Sequence, residues 1–154
     1  SGITNESSFF NFIQELSKPF SPYVFIPFLN GARKVKDVNK NSAELINFYP
    51  VRKSWINKLE LKVKNIKAFL VEDDSMEPTA KQGDVALVDE LMPDAANGLF
   101  ILDVNGTPSI RRLEYKLTGI AVSSDNENYS DEFIESSDSN LIVRIGKVLR
   151  IDSE

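Results

Sequence analysis

The sequence predicts a mostly-β domain with one or two short helices. Apolar stretches are short, rich in Val, Ile, Leu and Phe, and interrupted by Gly, Asn, Asp and Ser, which is the rhythm of strands and turns. Asn105-Gly106 separates two such stretches, and this pair favours the two-residue hairpin turn, whose central residues both need positive φ. Apolar residues recur at helical spacing in only two places. They do so at Phe9, Phe10, Ile13 and Leu16, and around Trp55, Ile56 and Leu59.

In chain order, a short amphipathic helix is expected over 5–17, ended by Pro19. Tyr23 to Phe28 holds one Pro among β-branched and aromatic residues and reads as an edge strand. Lys34 to Asn41 is polar and reads as a loop, Leu45 to Phe48 as a strand, and Ser54 to Leu59 as a helix. Strands follow at Ile66 to Val71, and at Val85 to Asp89 after the Gly83-Asp84 turn. Leu99 to Val104 and Ser109 to Leu113 form a hairpin, and Ile120 to Ser123 is a further strand. Asp125 to Ser139 is polar and acidic and reads as a surface loop, before a closing strand from Leu141 to Ile151. Residues 1–22 are expected to be a linker remnant with its helix, and 23–154 the domain proper.

The 154 residues suffice for one domain with a buried core. No apolar run is long enough to cross a bilayer as a helix. With no signal sequence and no Cys, the expected compartment is cytoplasmic. The chain opens Ser1-Gly2, and a longer parent trimmed at its amino end is expected. The formal charge of −5 disfavours phosphate binding, so DNA contact is not expected of this region. The sequence contains no His. A Ser-His-Asp triad is therefore excluded, and no metal or cofactor is expected. The acids from Asp125 to Asp138 lack EF-hand spacing. Any serine nucleophile would need a base other than His, and Lys is the usual substitute.

One segment carries more information, running Val71-Glu-Asp-Asp-Ser-Met-Glu-Pro-Thr-Ala-Lys-Gln-Gly-Asp-Val-Ala-Leu-Val-Asp89. It resembles the nucleophile region of the self-cleaving LexA/UmuD-type peptidases and related phage CI-like repressors, whose pattern is Gly-Asp-Ser-Met-x-Pro-Thr, then Gly-Asp and an apolar strand. The likeness continues through Gly98 to Val104, Asn105-Gly106 and Ile110-Arg111-Arg112-Leu113. It goes on through Ser124-Asp125-Asn126 with Tyr129, and through Leu141 to Ile151. It covers nearly the whole chain from Tyr23.

The resemblance implies the LexA carboxy-terminal fold of curled, β-clip-type sheets. It also implies a site with Ser75 as nucleophile, lined by Asp73, Asp74, Met76 and Pro78. Read without the resemblance, Ser75 is a turn residue capping local backbone groups, and Met76 is core filler. Three features depart from the family. Arg111 stands where the family has its general-base Lys, and a guanidinium stays protonated. Lys116 lies at an odd offset from it, on the other face of a strand. Asp73 replaces a Gly, which suggests that Asp73 and Asp74 pair with Arg111. No Ala-Gly or Cys-Gly cleavage dipeptide occurs.

The expected function is thus the carboxy-terminal regulatory and oligomerisation domain of a prophage-type repressor that does not cut itself and is controlled by an antirepressor protein. Its expected partners are a second copy of itself, that antirepressor, and operator DNA through an amino-terminal helix-turn-helix outside this chain. The resemblance implies that the closing strand region forms much of the dimer contact, so Leu141, Val143, Ile145, Val148 and Ile151 are the expected dimer residues, supported by an apolar terminal strand with an otherwise unpaired edge. The alternatives are an active Ser-Lys self-cleaving repressor of the SOS response and a UmuD-like polymerase accessory. A signal-peptidase relative is the remaining rival, disfavoured by the absence of an anchor.

Overall fold

The computed structural model describes residues 21–30, 48–91 and 96–153. The helix expected over 5–17, the loop over 34–41 and most of the strand expected at 45–48 lie outside them. The described chain is mostly β and divides into two compact units, 1–68 and 69–154.

In the first unit, β1 (Tyr23–Pro27) pairs antiparallel with β2 (Phe48–Arg52). A single helical turn and a half, α1 (Lys53–Lys58), follows directly. Its one buried residue is Ile56, and Ile26, Val51, Ile66 and Ala68 of the same unit are also buried. Prolines sit at the end of β1 and inside β2, and the ribbon tolerates them because each strand has one edge with no partner strand among the described residues. β3 (Ile66–Leu70) spans the division between the units, and Leu29 donates its N–H to the Ala68 carbonyl at 2.7 Å.

The second unit holds β4 (Val85–Asp89), β5 (Gly98–Val104), β6 (Thr107–Lys116), β7 (Gly119–Ser123), β8 (Glu132–Glu135) and β9 (Arg144–Asp152). The strand order is β3-β4-β9-β5-β6-β7-β8. β4 is buried at Val85, Ala86, Leu87 and Val88, as expected of a strand covered on both faces. The β5–β6 hairpin turns at Asn105 and Gly106, with φ of 52° and 85°, the backbone that the Asn-Gly pair predicted. Phe100, Leu102 and Leu113 form a core cluster with Tyr115, Ile120, Val122 and Ile142 against it.

Two expectations require correction. The acidic stretch 125–139 is not all loop, since β8 pairs with β7 and a 3-10 turn covers Ser136–Leu141. Glu132, Phe133 and Glu135 are all exposed, so β8 lacks the apolar alternation that reveals a strand. The closing strand starts at Arg144 rather than Leu141 because that 3-10 turn takes up Leu141. The strand also has no wholly unpaired edge: β9 runs inside the sheet, with β5 beside Arg144 to Lys147 and β4 beside Lys147 to Asp152. Of the expected dimer residues, Leu141 and Val143 are exposed, while Ile145, Val148 and Ile151 are half-buried.

Candidate active site

Ser75 sits in a loop closed at its base by two backbone bonds, Val71 N–H to the Asp84 carbonyl (2.9 Å) and Gly83 N–H to the Val71 carbonyl (2.8 Å). Gly83 has φ of 98°, a left-handed conformation that glycine adopts without steric cost. Asp84 is buried and accepts the Lys81 N–H at 2.9 Å, fixing the return of the loop into β4. Met76, buried beside Ser75, anchors the loop from inside.

Ser75 is 2% exposed. Its hydroxyl donates to Asp73 Oδ1 at 2.7 Å, and its backbone N–H donates to the same oxygen at 3.0 Å. This doubled contact is the local turn that Asp makes with the residue two positions on. The hydroxyl opens on a cavity of about 70 Å³ whose walls include Phe69, Val71, Asp73, Met76 and Ile110. Asp73 and Met76 thus line this cavity. Asp74 and Pro78 do not: Pro78 is exposed, and the Asp74 carboxylate accepts a bond from the Tyr129 hydroxyl instead.

Arg111 is also outside this cavity. Adjacent strand residues point to opposite faces, and it is Ile110 that faces Ser75. Arg111 lines a neighbouring hollow with Val104 and Val122. The expected pairing of Arg111 with Asp73 or Asp74 is not made. Asp73 is occupied by Ser75 and Asp74 by Tyr129, while the Arg111 guanidinium donates to the Ile110 carbonyl at 2.6 Å. Lys116 pairs with Glu114 at 3.3 Å on an exposed surface, remote from any catalytic use.

The groups that hold the Ser75 loop come from the segment after β7. Asn126 donates its backbone N–H to the Ser75 carbonyl and its side-chain amide to the Asp74 carbonyl, each at 2.9 Å. Asp125 accepts two bonds from Arg112, both 2.8 Å, and one from the Thr79 hydroxyl. These residues lie some fifty positions from Ser75 in sequence. The resemblance drew attention to Asp125, Asn126 and Tyr129 without giving them roles, and no spacing rule in one sequence would have paired them with the loop.

The Arg112–Asp125 link makes stability depend on pH. Hydrogen bonding from Arg112 holds the Asp125 carboxyl below its usual range, against an opposing effect of burial and with help from Thr79. The same bond raises Arg112. A depressed carboxyl contributes stability that is fully present above the unfolded pKa of about 3.9 and disappears as pH falls through the lower folded value. Asp125→Asn is therefore expected to lower stability at neutral pH and to match the parent in strong acid. Urea midpoints measured across the acid range check this, and a gap that persists unchanged at the acid end would contradict it.

A family model described as "Peptidase S24-like" matches residues 32–149. The "26 kDa repressor protein" of Escherichia phage HK022 is 30% identical over 87 residues, which is 56% of this chain and 37% of that protein. The chain thus covers little more than a third of that relative's length. It belongs to the Peptidase S24-like family.

Proposed function

We propose that this member of the Peptidase S24-like family is the regulatory and oligomerisation region of a phage-type repressor, and that it does not cleave itself. The observation that supports this most is the make-up of the Ser75 cavity. A serine hydroxyl attacks only when a base within hydrogen-bond reach takes its proton. The ionisable wall residues are Glu72 and Asp73, and carboxylates are weak bases at neutral pH. Arg111 faces a different hollow, and a guanidinium, being protonated already, cannot serve as the base. The site retains the nucleophile's position and its buried loop, but among the described residues no Lys lines it.

Operator binding then falls to a helix-turn-helix region outside this acidic chain, joined across a dimer so that two half-sites are read together. Exposed Leu141 and Val143 are candidates for that contact. Without cleavage, release from the operator comes through an antirepressor protein that binds this region.

A second reading has one specific observation in its favour. Asp73 lies 2.7 Å from the Ser75 hydroxyl, and as a base it would make the protein an active self-cleaving repressor. Incubation at neutral pH and at about pH 11.5, where a lysine of ordinary pKa has lost most of its charge, separates the readings by mass spectrometry of the products. The expected result is an intact chain at both. Discrete fragments that vanish in Asp73→Asn would establish the second reading. Sedimentation of the same sample reads the oligomeric state, and monomer alone would remove the dimer from the proposal.

A further inference from the structure

We propose that the hollow beside Arg111 is a recognition site for a carboxylate, presented by an Asp or Glu side chain of a peptide segment. This goes beyond the function proposed above and does not depend on it. The hollow has a volume of about 220 Å³, and its polar walls are Arg111, Ser123, Ser124, Tyr129, Ser130 and Glu132.

β6 carries two adjacent guanidiniums with different circumstances. Arg112 is matched by both oxygens of Asp125. Arg111 makes one hydrogen bond, to the Ile110 carbonyl, and has no ion pair among the described residues. A guanidinium presents five N–H donors in a planar fork, so most of this fork is open to a ligand. The Ser123, Ser124 and Ser130 hydroxyls likewise have no side-chain hydrogen bond among the described residues. Together they offer one cation and several neutral donors.

The planar fork pairs in bidentate fashion with carboxylate or phosphate, and the surrounding charge selects between them. The Tyr129 hydroxyl is raised above the ordinary phenol range, first by its bond to Asp74. Burial and the charges of Asp74 and Asp73 act in the same direction, and Arg111 opposes them least strongly. Glu132 adds a further carboxylate to the wall. A doubly charged phosphate meets that repulsion twice over, whereas a single carboxylate can use the fork and the hydroxyls with half the cost. The volume lies below the roughly 300–1,000 Å³ of pockets that hold drug-sized ligands. It suits one acidic side chain and its adjoining backbone.

The test uses the 15N-labelled chain and follows the Arg111 Nε–H resonance together with the backbone amides of the wall residues Ser123, Ser124 and Ser130, which remain readable in Arg111→Gln. The probes are a blocked Gly/Ser hexapeptide with one central Asp, the same peptide with Asn, sodium acetate and inorganic phosphate. The Asp peptide is expected to shift the resonance to saturation, and the Asn peptide to bind at least about tenfold more weakly, the worth of a charge-assisted hydrogen bond. Arg111→Gln is expected to abolish binding. Glu132→Gln, at an exposed wall position, is expected to tighten it about threefold by removing a like charge. Acetate that matches the Asp peptide mole for mole would support carboxylate recognition and identify a free small acid as its source. Equal binding of the Asp and Asn peptides, phosphate binding more tightly than either carboxylate, or weaker binding in Glu132→Gln would overturn the proposal.

Discussion

Phe100→Ala is expected to lower the free energy of unfolding by about 3–5 kcal/mol, the range found when a buried aromatic is cut back to a methyl group. Phe100 is fully buried and belongs to the cluster with Leu102 and Leu113. Its backbone is paired on both sides, with Arg111 of β6 and Lys147 of β9. A strand held by two ladders cannot shift far toward the void, so little of the cavity collapses and the loss should lie near the top of that range. Urea unfolding reads the effect as a lower midpoint at unchanged slope. Because Phe100 and Arg111 are cross-strand partners, the same substitution is also expected to loosen the wall of the Arg111 hollow. A loss below about 1 kcal/mol would mean that the cluster repacks freely, contrary to the close packing of protein interiors.

Parts of this structure were legible in the sequence because local chemistry determines them. The Asn105-Gly106 turn is one, since few other residue pairs accept two positive φ values in succession. The continuous apolar run Val85 to Val88 is another, and it became the strand buried on both faces. At the site, the segment bearing Ser75 was recognisable from its motif, which lies within the matched family region.

The misread features share a physical cause. The orientation of Arg111 could not be taken from alternation, because β6 buries Ile110 on one face and Leu113 on the other. A strand apolar on both sides gives no sign of which face meets a given loop. β8 went unseen for the opposite reason. It is short, largely exposed and flanked by acids, and it exists through its pairing with β7. That pairing needs Gly119, where a Cβ would lie 2.2 Å from the Ile134 carbonyl oxygen. The hold of Asn126 and Tyr129 on the Ser75 loop is likewise a tertiary fact, created when the segment after β7 returns to a loop met much earlier in the chain.

Gly146→Ala is expected to destabilise the chain by about 3 kcal/mol, the upper part of the range for overpacking a tight interior. The reason is space and not backbone conformation, since Gly146 has no positive φ. An added Cβ would lie 2.3 Å from Val88 Cγ1 and 3.0 Å from the Asp89 carbonyl oxygen. Val88 is fully buried and β-branched, so its methyl groups cannot swing aside easily. Gly146 also sits beside the register shift within the β5–β9 ladder, one residue before the Lys147 that pairs with both β5 and β4. β4 continues from the Ser75 loop, and β5 leads through the hairpin to Arg111. The crowding therefore falls on the strand that joins the nucleophile's support to the Arg111 wall. A double-mutant cycle identifies the cause. If Val88 is the obstacle, adding Val88→Ala to Gly146→Ala costs less than the sum of the two separate losses. Strict additivity would show that the Asp89 carbonyl, and so the backbone spacing of β4 and β9 itself, sets the limit at this position.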